Sequence, residues 1–273
     1  MKKISILAAA LLMTGVASAQ IASPSVGANP GANALILPAG TTSISSFTRN
    51  ISTIEQVGTN QHGVVTKNGV QNSYGSRQNE ASLKQISSSP STGSNNATQT
   101  QTNDASGGGS SVAISRAANR MEAEQFGTRS TVTQSQQGSG NRASAFQRAG
   151  STENLIVQTQ VGRNNQAYSE QRGHDSKSVQ TQNGVGNQGV VIQTGPAGYN
   201  LATQDQTGTG NTAYAGQGTQ GNPGGISYDS GYNHSAQMQN GMNNFSRTDQ
   251  FGSDDWSKVS QTGTTNTAIV TQR

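Results

Sequence analysis

A chain of 273 residues that is 30% hydrophobic, 4% aromatic and only 11% charged, with a mean hydropathy of -0.63, is too polar to fold around an ordinary apolar core. Low charge also sets it apart from solvated disordered chains and points to uncharged amides and hydroxyls that self-associate. A formal charge of +4 is too small an excess to single out nucleic acid, and leaves two readings open: association with anionic polymers, or a merely near-neutral surface.

In chain order, Lys2 and Lys3, an apolar run from Ile4 to Val16 and the small residues 17–19 predict a secretory signal peptide over 1–19 and an exported chain from about Gln20. That run is too short to span a bilayer and no later stretch is apolar enough, so no membrane insertion is expected. The chain has no cysteine, so an exported domain must be held together without disulfides. Residues 20–49, with Pro24, Pro30 and Pro38, read as a flexible segment for export or docking.

From residue 50 to 273 glutamine keeps phase. Gln125, Gln136 and Gln147 stand eleven apart, as do Gln160, Gln171, Gln182 and Gln193, then Gln206 and Gln217, then Gln239, Gln250, Gln261 and Gln272. Two intervening steps are of thirteen residues, and the step from 217 to 239 is twice eleven. Six residues before most of these stands asparagine: Asn119, Asn141, Asn154, Asn165, Asn187, Asn200, Asn211, Asn233, Asn244 and Asn266. The unit Asn-x-Ala-x-x-x-Gln has a strand's length, and the x-Gly-x-x that follows has a turn's length.

Strand side chains alternate between faces. The Asn, Ala and Gln positions share one face, whereas Arg120, Glu122, Glu124, Glu170, Lys177, Asp205, Arg247, Asp249 and Lys258 fall mostly on the other, so the first face is inside. A buried amide without a partner costs about 1–3 kcal/mol. Identical amides stacked at the strand spacing of about 4.8 Å can each donate one way and accept the other. The expected fold is therefore all-β, a cross-β, amyloid-type β-solenoid with two strands per rung of about 22 residues and some nine or ten rungs. The Asn and Gln residues named above form its stacking ladder.

The first half is less regular. "NISTIEQ" (50–56) and "QHGVVTK" (61–67, Lys67 in place of Gln) are in phase; "NEASLKQ" (79–85) and "NNATQTQ" (95–101) fit the unit out of step. "GNPGGISYDSG" (221–231) sits where a strand is due, but Pro223 and the glycines make it a degenerate rung that bulges.

Sharper chemistry finds little support. "GVGNQG" (184–189) lacks the helix that a nucleotide loop needs and leads into another strand. His62, His174 and His234 are far apart on outward or turn positions, which disfavours a metal site. Asp254 and Asp255 are adjacent, so in a strand they point to opposite faces and cannot pair as acid and base. Neither catalysis nor a cofactor is expected. The outward Phe146, Leu155, Tyr168, Val190, Ile192, Tyr214, Phe245 and Trp256 are strand formers or contacts for bundling and ligands.

The repeated unit Asn/Ser-x-Ala/aliphatic-x-x-x-Gln-x-Gly-x-x-Asn, over roughly residues 50–272 behind a signal peptide, resembles the curlin repeat of bacterial curli subunits. That resemblance implies a secreted amyloid subunit whose stacking residues are, unit by unit, Asn141 with Gln147, Asn165 with Gln171, Asn211 with Gln217 and Asn266 with Gln272, among others. It also implies a dedicated outer-membrane pore, a nucleator subunit, and a cell-surface fibre that serves the biofilm matrix and adhesion to host or abiotic surfaces. The 20–49 segment lacks the Gly/Asn-rich character of that family's secretion segment. The last unit, "NTAIVTQ", runs to within one residue of Arg273, so an uncapped edge that accepts another copy head-to-tail is expected. Charges and glycines scattered along the strands read as gatekeepers against premature assembly. Two other classes compete. One is a monomeric secreted solenoid used as an adhesin or ligand-binding protein; the other is a solenoid carbohydrase, for which the clustered acids are lacking.

Overall fold

The computed structural model describes residues 42–45, 51–57, 62–68, 80–86, 95–102, 119–148, 152–195, 198–218 and 231–272. The expected signal peptide, most of the 20–49 segment and the interruption at 221–230 lie outside the described residues.

Those residues form strands and corners, with no helix. One sheet consists, in spatial order, of β1 (Thr42–Ser45), β3 (His62–Asn68), β5 (Asn96–Thr102), β7 (Thr131–Ser139), β9 (Leu155–Arg163), β11 (Lys177–Val185), β13 (Leu201–Thr209), β15 (His234–Met242) and β17 (Trp256–Thr264). The second consists of β2 (Ile51–Val57), β4 (Glu80–Ile86), β6 (Arg120–Gln125), β8 (Arg142–Gln147), β10 (Gln166–Arg172), β12 (Gln188–Thr194), β14 (Thr212–Gly218), β16 (Phe245–Gln250) and β18 (Thr267–Gln272). Odd strands pair in parallel with odd, and even with even, so the described residues wind as a β-solenoid of nine two-strand rungs. The lower of the two expected rung counts holds, and the first strand, β1, arises inside the segment read from sequence as a linker.

Alternation sets the two faces. β8 buries Ala143, Ala145 and Gln147 and exposes the residues between them to different degrees; β9 does the same with Ile156, Gln158 and Gln160. The apolar interior is thin and lopsided. A single cluster runs from Val65, Leu83 and Met121 to Ile156, whereas in the later rungs the clustered apolar residues are the smaller group of Val191, Ala202 and Ala215.

Corners alternate in length. The chain crosses from β9 to β10 in two residues, Asn164 and Asn165, and from β10 to β11 in four, 173–176. Thirteen-residue steps lengthen only the broader corner, as at 195–200 between β12 and β13. Each corner from β6 onward carries a residue of positive φ, such as Asn164 (55°), Asp175 (51°) or Tyr199 (60°). That conformation turns its N–H back toward the preceding rung: Asn164 donates to the Ser139 carbonyl at 3.0 Å and Asp175 to that of Thr152 at 3.0 Å. The backbone ladder therefore continues round the bends, where unpaired amides would otherwise be costly.

Out-of-step units are brought into register by longer excursions. Ala81 stands opposite Met121 and Ala97 opposite Val132. The segment read from sequence as a degenerate rung lies outside the described residues at 221–230. Leu201 pairs directly with His234 and Thr212 with Phe245, so both sheets close past it, because proline and glycines cannot supply a ladder of N–H groups and packed side chains.

Candidate functional site

The chemistry of this solenoid lies in its interior columns. In the even sheet, Gln56, Gln85, Gln125, Gln147, Gln171, Gln193, Gln217, Gln250 and Gln272 stack in one line. Each Nε2 donates to the Oε1 of the next, from Gln56 to Gln85 at 2.5 Å through Gln171 to Gln193 at 2.8 Å to Gln250 to Gln272 at 3.0 Å. In the odd sheet Gln101, Gln136, Gln160, Gln182, Gln206, Gln239 and Gln261 do the same at 2.8–3.1 Å.

A third ladder went unrecognised in the sequence. Gln99, Gln134, Gln158, Gln180, Gln204 and Gln237 stack at 2.8–3.0 Å, two residues before the second ladder. Its signal is the pair Gln-x-Gln, present in the odd strands from β5 to β15 and absent from the even ones, where the same place holds residues such as Ala123, Ala145 or Val191. The repeat is thus two unlike half-rungs. Val65 stands opposite Gln99 and Val259 opposite Gln237, which bounds this ladder. Gln99 Oε1 consequently has no partner, and Gln237 Nε2 turns to the hydroxyl of Thr248 at 3.1 Å.

All three ladders share one polarity, with donors toward the C-terminal rung. The same nitrogens also cross the core to main-chain carbonyls of the facing sheet. Gln160 donates to the carbonyl of Arg142 at 2.8 Å, Gln158 to that of Ser144 at 3.0 Å and Gln171 to that of Leu155 at 3.0 Å. Such a glutamine ties its rung to the next and one sheet to the other. Both bonds are needed, since an amide buried at 0% exposure, as for Gln147 and Gln171, has no water to turn to.

Asparagine does something different from the expected amide stack. The residues sit at the corner just before a strand, and their Oδ1 accepts a backbone N–H from the next rung: Asn141 N–H to Asn119 at 2.9 Å, Asn165 to Asn141, Asn187 to Asn165, Asn211 to Asn187, Asn244 to Asn211 and Asn266 to Asn244. Their Nδ2 donates to a glycine carbonyl, as from Asn141 to Gly162 at 3.1 Å and from Asn165 to Gly184 at 3.0 Å. Among the described residues, only Asn244 and Asn266 also donate side chain to side chain. The corner turns the backbone N–H away from its neighbour strand, and the asparagine oxygen replaces the lost acceptor.

At the opposite corner Asn154 accepts from Ser176 and Asn233 from Asp255, while Asn200 accepts from Asn233. Asp255 thus takes an asparagine's place rather than lying in a strand, and its Oδ2 accepts the Gly252 N–H at 3.1 Å. Among the described residues Asn200 Nδ2 is buried without a partner.

The glycine of Gln-x-Gly forms the matching column. A Cβ on Gly162 would lie 2.0 Å from the Gly184 carbonyl oxygen, and one on Gly184 would lie 2.0 Å from that of Gly208, with φ at 111° and 129°. These carbonyls are the acceptors for Asn165 and Asn187, so the asparagine and glycine columns interlock. The "GVGNQG" glycines belong here: Gly184 in β11, Gly186 at the corner and Gly189 in β12.

Outside, the even sheet carries an ion network centred on Glu170. Glu170 is 7% exposed although its column faces outward, because Arg148 (3.1 Å), Arg172 (2.7 Å) and the Tyr168 hydroxyl (2.5 Å) close over it. Burial alone would raise its pKa, but these hydrogen bonds prevail and hold it down to about 2; the same contact and burial push Tyr168 up to about 12. Arg148 also stacks on Phe146, 4.9 Å from the ring centroid. Asp249 is similarly covered, by Arg247 at 2.6 Å. His174 lies at an exposed corner against the Thr152 hydroxyl, 2.7 Å away. Among the described residues no group of three His, Cys, Asp or Glu is placed to hold a metal ion.

Each sheet ends in edge strands, β1 and β17 in one and β2 and β18 in the other, and among the described residues no strand covers their outer edges. Fold and columns together define the chain as a two-sheet parallel β-solenoid with amide-ladder interior. No protein-family model matches it and no curated protein matches it.

Proposed function

We propose that this chain is the structural subunit of a secreted, curli-like amyloid fibre at the cell surface, adding head-to-tail to other copies for biofilm matrix and adhesion. The observation that carries the reading is the set of polar ladders that run through every described rung of the even sheet and reach open strand edges. At β17 and β18 the main-chain groups, together with the Gln261 and Gln272 amides, repeat the arrangement that every inner rung offers its neighbour. A disordered chain that meets this edge has a template for its own first rung, and a heterologous contact of this kind extends without closing. A nucleator and an outer-membrane pore are the partners that the curlin resemblance adds.

The test is a thioflavin T time course on the chain from Gln20, with and without preformed seeds. The proposal expects a lag that seeds abolish. A chain that stays folded, monomeric and dye-negative for days with seeds present contradicts it and leaves a self-contained solenoid adhesin.

A further inference from the structure

Tyr199 and Tyr232 stand one above the other at the broader corner, on successive rungs. Their rings are stacked at 5.0 Å between centroids with planes 10° apart, and they are 52% and 60% exposed. Both backbones are left-handed, with φ of 60° and 62°, a conformation that bulky side chains seldom adopt. The corner fixes it, since Tyr199 N–H donates to His174 and Tyr232 N–H to Gly198 at 3.1 and 3.2 Å. The other positions of this column hold Arg129, Glu153, Asp175 and Asp254, so nothing about the corner itself demands an aromatic ring. Tyr168 and Tyr214 are instead half-buried on the even sheet, and the Tyr168 hydroxyl is held by Glu170.

We propose that Tyr199 and Tyr232 are an oxidative cross-linking site, which joins β13 to β15 through a dityrosine bond. Each phenol gives up one electron and one proton to a peroxidase using hydrogen peroxide. The two phenoxyl radicals then couple through ring carbons ortho to the oxygens, and the hydrogens on those carbons move to the oxygens as the rings regain aromaticity. One carbon–carbon bond forms, two electrons and two protons leave, and one hydrogen peroxide becomes two waters. The stacked rings need only side-chain rotation to bring those carbons together, and both edges face solvent, where the oxidant arrives. The bond would span the 33-residue step over the interruption, Tyr199 to Tyr232, in a chain with no cysteine for a disulfide. This inference is independent of polymerisation, since both rings belong to one molecule.

The experiment treats the folded chain, and separately the chain in denaturant, with a haem peroxidase and hydrogen peroxide, then cleaves before aspartates. Tyr199 falls in 175–204, Tyr232 in 229–248, and Tyr214 and Tyr228 in 205–228. The expected product is 175–204 joined to 229–248 with the loss of two hydrogens. Its yield should be independent of protein concentration, and it should be absent in denaturant and absent from Tyr199→Phe and Tyr232→Phe. Links that involve 205–228 instead, links only between molecules, equal yield in denaturant, or no link in a folded chain would each overturn it. A chain that forms the link yet never polymerises leaves this inference standing and removes only the fibre reading.

Discussion

At the scale of single residues, the glycine column offers a controlled comparison within one corner. Gly184 and Gly186 both have positive φ, 129° and 68°. A Cβ at 184 meets a main-chain oxygen at 2.0 Å, whereas one at 186 has nothing within 4 Å. Gly186→Ala should therefore cost only the left-handed penalty, about 1–2 kcal/mol. Gly184→Ala must separate two rungs and break the Asn187 bond, and should cost about 4 kcal/mol or more; urea unfolding followed by circular dichroism reads both. Glu170 supplies a pH signature. Its carboxyl is depressed from an ordinary 4.5 to about 2, so the stabilisation it provides is complete above about 4.5 and is lost as pH falls through about 2. Wild type should lose stability across that window by more than Glu170→Gln does; identical acid profiles would show that the Arg148–Glu170–Arg172 network contributes nothing.

At the scale of strands and corners, the eleven-residue phase of glutamine and the alternation of small and charged residues made the rung legible. Both follow from stacking like on like. The phase alone could not show that successive units differ, because the distinguishing Gln99, Gln134, Gln158, Gln180, Gln204 and Gln237 belong to a second column offset by two. Nor could it show what asparagine does, since Asn141 and Asn165 act through corner geometry that sequence spacing leaves open. The interruption at 221–231 kept the glutamine phase and so looked like a rung, although Pro223 had already argued against it. The corner from β14 to β15 holds fifteen residues, 219–233, and removing eleven leaves 15 − 11 = 4, the length of the corner at 173–176. Deletion of 219–229 should accordingly preserve β15 to β18 and leave the melting transition within a few degrees of wild type. Loss of amide protection in the last four strands would show that the interruption is needed to set their register.

At the scale of the whole molecule, the interior changes character along its axis. Leu83, Met121 and Ile156 fill the early rungs, while Ser235, Ser246 and Ser257 are buried late with unpaired hydroxyls. The even-sheet amide ladder, by contrast, reaches the edge at β18 without a break in polarity. In the proposed fibre, rungs of successive molecules continue this axis, one rung per strand spacing. The most direct measurement is the mass per unit length of isolated fibres by scanning transmission electron microscopy. Spreading 28.1 kDa, less the expected signal peptide, over nine rungs of about 4.8 Å predicts about 0.6 kDa per Å for a single filament. One molecule in every strand layer would instead give about nine times that value, and such a result would contradict the stacked-solenoid fibre.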